Sequence, residues 1–166
     1  MGDRAQVERV NRILRHEAFL WHIRENAAAE ENRVFCHHDM AHFLDVARIA
    51  MILNLREELE IPQDIVYGAA LLHDIGRHEQ YHMGMPHEAA SVRIAPDILA
   101  DCGYSPEEIR EITEAIALHR DSETSVRQDM AGILYRADKA SRSCFACKAI
   151  GQCNWKDDKK NLEIIL

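Results

Sequence analysis

The sequence predicts an all-α fold, a single compact helical bundle with five or six core helices. Three observations carry this expectation. Apolar residues recur at helical spacing almost throughout the chain. Strand-like alternation is almost absent. The glycines and prolines, seven and four in number, fall where helix ends need them.

The elements follow in order. Val7, Val10, Leu14 and Trp21 share one face of a helix expected over about residues 4–29. A polar stretch, Glu30 to Arg33, interrupts it. The next helix starts near Asp39 and carries Phe43, Leu44, Ala47, Ala50 and Met51, flanked by Val46, Ile49 and Leu53, so it is buried on most sides. Pro62 opens a third helix, where its missing N–H costs nothing, and Gly76 stops it. Residues 77–86 read as a loop. A fourth helix runs from about His87 to Asp101, with Pro96 bending or interrupting it and Gly103 closing it. Ser105-Pro106-Glu107-Glu108 is a capping-box start for a helix whose Ile109, Ile112, Ile116 and His119 lie on one face. A last core helix spans about Asp129 to Arg142. One domain is expected over residues 1–166, with its core at about 36–142 and a cysteine-containing tail at 144–166.

Composition narrows the function. The chain of 166 residues is long enough to bury a core without staples, and at 47% apolar it is not dominated by disorder. Lys and Arg number 20 against 28 Asp and Glu, a net charge of −8, which disfavours nucleic acid or an anionic membrane as partner. The polar start MGDRAQVERVNR lacks the apolar core of a signal peptide, and no window reaches the ~18 apolar residues of a membrane span. The five cysteines cannot all pair internally. The reducing cytoplasm is the expected compartment. Histidine is the odd feature, with ten residues, as many as Phe, Tyr and Trp together. Imidazole is the side chain suited to binding transition metals and moving protons near neutral pH.

The spacing of these histidines carries the chemistry. His73-Asp74 ends an apolar helix, where both side chains can turn toward one ion. His42 lies one turn after His38 in a buried helix, His87 opens a helix, His119 ends an apolar face, and Asp138 sits in the segment ILYRADKASR. Each alone is more often a satisfied core polar group than a ligand. Several buried polar groups converging on one ion, however, satisfy each other's desolvation.

The segments HHDMAHFLDVARIA, ALLHDIGR, HEAAS, ALHR and YRADKASR, over about residues 36–142, resemble the HD-domain superfamily of metal-dependent phosphohydrolases, in its subset with two metals. The resemblance implies one ion held by His42, His73, Asp74 and Asp138, with Asp74 bridging to a second ion held by His87 and His119. Such ligands suit one or two divalent ions of Fe, Mn, Zn, Ni or Co. Two ions about 3.5–4 Å apart polarise a bridging water, and the resulting hydroxide attacks a phosphoester or phosphoanhydride.

HHDMAH further resembles the HNxxH element of cyclic-nucleotide phosphodiesterases, which implies that His38 is the general acid; a supporting or surface role is the other reading of this residue. Arg77 stands where many members carry Lys and still grips phosphate. With Arg77, Lys139 and Arg142 are the candidate substrate-binding cations, whereas Arg120, His78 and His82 read as surface residues. The expected partner is a small phosphorylated substrate, a nucleotide above all. The ligand pattern also resembles that of HD-type diadenosine tetraphosphate hydrolases. No GYP element follows the HD pair, which disfavours cyclic di-GMP. Two other readings stand beside this one: a di-iron oxygenase resembling myo-inositol oxygenase, and a non-enzymatic metal-binding signalling module.

Outside that pattern lies Cys144-x2-Cys147-x5-Cys153. It is one ligand short of a closed metal knuckle, which Cys36 or a histidine would complete, and cysteine is also a common buried hydrophobe. The apolar ending Leu162 to Leu166 is expected to pack on the core or on a second copy of the chain.

Overall fold

The computed structural model describes residues 2–165 and, for Asp3, the backbone alone. Among the described residues there are eight α-helices and no strand. They are α1 (Asp3–Arg15), α2 (Glu17–Ala29), α3 (Met40–Arg56), α4 (Gln63–Leu72), α5 (Arg77–Met83), α6 (His87–Asp101), α7 (Pro106–Leu118) and α8 (Met130–Ala140). No helix is long and apolar enough to cross a membrane.

The all-α expectation holds, with two additions to its helix count. The stretch expected as one N-terminal helix breaks at His16, whose backbone is extended and whose Nδ1 accepts from Ala18 N–H at 3.2 Å. The side chain thereby caps α2, as Asp or Ser commonly does. The stretch 77–86, expected as a loop, forms α5 and stops at Gly84, which is left-handed at φ 71°. Three boundaries also shift. α4 ends at Leu72, so His73 to Gly76 form the turn that follows it. α6 runs unbroken through Pro96, and α8 ends at Ala140.

α4 is the axis of the bundle. From 64 to 72 every residue except Tyr67 is buried. A helix apolar on all sides must be surrounded, and α4 packs against α1, α3, α6, α7 and α8. Around it, α3 pairs with α8, α6 with α7, and α5 with α2 and α6. The helix starts are fixed by side-chain caps. Asp39 accepts from His42 N–H, Asp129 from Gly132 N–H, and Ser105 and Glu108 form the expected capping box. Gly76 is needed for a reason other than a helix stop. Its φ is −88°, but an added Cβ would lie 2.5 Å from Ala90 Cβ. The turn after α4 thus presses directly on α6.

The N-terminal end of α4 carries Asp64, fully buried. Arg9 on α1 meets it through Nε at 2.6 Å and reaches Glu108 on α7 with both Nη atoms, at 2.7 and 2.9 Å. The Arg9 guanidinium also lies 4.3 Å from the Tyr104 ring centroid. One cation therefore ties three helices together and neutralises a carboxylate shut away from the surface.

His78, expected at the surface, is buried; its Nε2 lies 2.9 Å from Nδ1 of His22, with Trp21 edge-on to both rings. His82 lies beside it, with ring centroids 6.1 Å apart. The apolar ending stays largely exposed at Leu162, Ile164 and Ile165, and Leu166 lies outside the described residues.

Two outcomes are expected. Arg9→Ala leaves Asp64 buried and unpaired, and should cost about 3–5 kcal/mol in denaturant unfolding; a loss under about 1 kcal/mol, the worth of a surface pair, would contradict the arrangement. Burial, and then His78, lower the His22 pKa from 6.5 to about 4. The folded state therefore binds fewer protons than the unfolded chain across that window, and stability falls as pH drops through 6.5 toward about 4. His22→Phe should flatten that fall in Tm, and an unchanged slope would show that the pair plays no part.

Candidate metal centre

The C-terminal end of α4 is where the polar chemistry collects. The turn after it presents His73 and Asp74. α3 contributes His42 from its first turn, α6 His87 as its first residue, α7 His119 at its C-cap, and α8 Asp138. His73, Asp74, His87 and His119 are 0, 3, 4 and 2% exposed, so none is an ordinary surface polar group.

These side chains form two groups of ligand atoms, each within 4.8 Å. One is His42, His73 and Asp138; the other is Asp74, His87 and His119. The Asp74 carboxylate reaches toward both. Its Oδ1 lies 3.0 Å from His87 Nε2 and 3.6 Å from His119 Nε2. Its Oδ2 lies 3.3 Å from His73 Nε2 and 3.8 Å from His42 Nε2. Asp138 Oδ1 closes the first group, 3.7 Å from His42 Nε2. All six residues singled out from the sequence as ligands are thus brought together.

The donor set fits cations in three respects. First, ring orientation is fixed from behind: His73 Nδ1 donates to Ala70 C=O at 2.8 Å and His119 Nδ1 to Ile116 C=O at 2.6 Å. Each Nε2 then points inward with its lone pair, as metal-bound imidazoles do. Second, Nε2 meets Nε2 at 3.3 Å both between His42 and His73 and between His87 and His119. Two neutral lone pairs would repel there, so each pair calls for a shared proton or a cation between its nitrogens. Third, Asp74 Oδ1 is buried without a hydrogen bond that meets full geometry, although His87 Nε2 lies 3.0 Å away.

The proton affinities reflect this density of charge: burial opposes a proton on His73, and the Asp74 carboxylate outweighs it and raises the His73 pKa. Burial, then His73, lower His42 to about 4, leaving a neutral ring at neutral pH. Burial works against charge on Asp74, yet the surrounding imidazoles, His73 foremost, hold its carboxyl well below the usual range. Burial likewise opposes charge on Asp138, and Lys139 and then His73 bring it to about 2. Both carboxylates are therefore ionised and face neutral or cationic nitrogen.

The candidate catalytic and substrate residues divide. His38 stands at the site: its Nε2 is 3.7 Å from Asp74 Oδ2, and its Nδ1 donates to Glu30 Oε1 at 2.5 Å. Glu30 also accepts from His38 N–H and from the Tyr81 hydroxyl, both at 2.8 Å. Burial raises the Glu30 pKa, and these bonds more than offset it, to about 2. Arg77 opens α5 beside the second group, with Nη1 2.7 Å from His87 Nδ1 and a buried Nε that makes no hydrogen bond and lies 3.9 Å from Glu30 Oε1. Lys139 is committed to Asp138 and to His119 C=O. Arg142 turns away, its guanidinium 4.8 Å from the Trp155 ring centroid. Arg120 pairs with Glu88 at the surface.

Sequence reasoning missed Glu30, Tyr81, Asn26 and Gln80, whose Oε1 lies 2.6 Å from His87 Nδ1. Asn26 is 1% exposed; its Nδ2 donates to Asp74 C=O at 3.0 Å and its Oδ1 accepts from His78 N–H at 2.8 Å. It clamps the metal-facing turn from α2. A polar residue in the run ENAAA was the only signal. Asn26→Ala should destabilise the fold by about 1–3 kcal/mol, leaving two buried backbone groups unpaired. It should also weaken metal affinity by about 10- to 100-fold in a chelator competition; unchanged affinity would show that the clamp does not position Asp74.

Comparison with known proteins accords with this site. The family model described as HD domain matches residues 40–143, a span that contains all six ligand candidates. An uncharacterized protein of Clostridium beijerinckii (strain ATCC 51743 / NCIMB 8052) is 44% identical over 158 residues, covering 95% of this chain and 99% of that one. No solved structure matches the chain. With six ligand candidates meeting inside the matched segment, the chain belongs to the HD-domain family.

Proposed function

We propose that the protein is a metal-dependent phosphohydrolase acting on a nucleotide or a related small phosphate ester or anhydride, in the reducing cytoplasm. One observation carries the reading: the single buried Asp74 carboxylate faces a histidine pair with each of its oxygens. That arrangement suits two cations sharing one bridge. His42, His73 and Asp138 would hold one ion with Asp74, and His87 and His119 the other. Bound there, divalent ions supply Lewis acidity toward phosphoryl oxygens and activate water.

The protein's own groups do the rest. Arg77 places its guanidinium beside His87 and Glu30 at the edge of the site, a cation suited to a phosphate oxygen. Its charge offsets locally the −8 of the chain. His38 is oriented by Glu30, with Nε2 turned toward the site, the position of a group that delivers a proton to the leaving oxygen. Lys139 holds Asp138 ionised and in place. Arg142 would reach a substrate only by leaving Trp155.

The test is metal quantification followed by turnover on mononucleotides, cyclic nucleotides and dinucleoside polyphosphates. One to two transition-metal equivalents per chain and phosphate release are expected, and a folded, active, metal-free protein would refute the reading. Asp74→Ala should abolish turnover. His38→Ala should lower kcat by about a hundredfold or more with metal content retained; loss of metal would make His38 a ligand. Oxygen consumption by the iron-loaded protein without phosphate release would favour the oxygenase reading.

A further inference from the structure

We infer that His22, His78 and His82 bind a zinc ion at the seam between α2 and α5, a centre separate from the His/Asp site. None of the three belongs to the six ligand candidates described above.

The local sequence supplies two of the ligands. His78-Glu79-Gln80-Tyr81-His82, within α5, has the spacing H-E-x-x-H. Its two histidines are four residues apart and share one helix face, the arrangement in which two imidazoles reach a single zinc ion. Their ring centroids are 6.1 Å apart.

The fold supplies the third. α2 packs on α5 and brings His22 Nδ1 to 2.9 Å from His78 Nε2. Nitrogens this close need a shared proton or a cation between them. Two nitrogens 2.9 Å apart, each about 2.1 Å from one zinc ion, subtend about 90° at it, and tetrahedral bonding opens that separation by about half an ångström. Burial is the first cause lowering the pKa of both rings, that of His22 to about 4, so each is neutral at neutral pH and able to ligate. Trp21 packs edge-on against both, with centroids 4.7 and 5.5 Å away. The three imidazoles do not yet hold their nitrogens within 4.8 Å of one another. His82 is exposed, so a change of its rotamer closes that gap. Water then completes the tetrahedron.

Glu79 limits what the ion does. In an H-E-x-x-H peptidase this glutamate is the general base. Here it is 6% exposed, and both its oxygens accept from Arg93 Nη2 on α6, at 2.5 and 2.6 Å. A carboxylate neutralised against α6 does not serve a water held on the α2 side. The ion is therefore a tie. It braces the seam on which the Asn26 clamp depends, because His78 N–H donates to Asn26 Oδ1 and Asn26 Nδ2 to Asp74 C=O.

The experiment is zinc titration of the full chain, stripped of metal beforehand, with bound zinc counted after dialysis. His82→Ala removes an exposed side chain and should bind one zinc fewer than the wild-type protein. Asp74→Ala should still bind one, and that one should disappear when His82→Ala is added. Cobalt(II) gives a local readout. In a Trp155→Phe chain Trp21 is the sole tryptophan, and cobalt bound beside it should quench its fluorescence; His82→Ala should abolish the quenching. Equal zinc in the wild-type and His82→Ala proteins, or quenching that survives His82→Ala, would overturn the site. Zinc lost wholly in Asp74→Ala and kept in His82→Ala would place every ion at the His/Asp site and overturn it as well.

Discussion

The structure depends on keeping one carboxylate, that of Asp74, ionised and almost out of water at the C-terminal end of an apolar helix. Carbonyl dipoles converge there and disfavour negative charge. Burial adds a further penalty that no single neutral hydrogen bond offsets. Cationic charge in the same place is the general remedy. The four inward Nε2 atoms around Asp74 are placed to supply it, either by holding cations or by carrying protons themselves.

The two ends of α4 make an instructive pair. Asp64 sits in its first turn, where the helix dipole favours an anion, and one guanidinium from α1 suffices to neutralise it. Asp74 sits past the last turn, where the dipole opposes it, and it gathers imidazoles from α3, α6 and the end of α7. The first arrangement ties helices; the second creates a site. The close approach of Gly76 to Ala90 and the Asn26 clamp hold the turn between these demands. The geometry of the site and the packing of the bundle are thus set by the same few contacts.

Much of this was legible in the sequence because it depends on periodicity and local spacing. The apolar run of α4, the His73-Asp74 pair at its end and the capping box at Ser105 are all short-range patterns. The six ligand candidates were legible because the short segments around them resemble the HD-domain pattern. What was not legible depends on contacts distant in the chain. Glu30 carries its signal only once His38 and Tyr81 fold against it. His78 reads as surface until α2 supplies His22 and Trp21. The break at His16 was hidden because a histidine side chain capped the helix where Ser, Asp or Asn is the usual sign. α5 was missed because Gly84 and Pro86 mark a loop without saying where it begins.

The central claim is that Asp74 bridges two ions. Electron paramagnetic resonance of the manganese-loaded protein tests it most directly. Two ions sharing a carboxylate should give an exchange-coupled spectrum that reverts to isolated ions in Asp74→Ala. A spectrum of isolated manganese in the fully loaded wild-type protein would contradict the account.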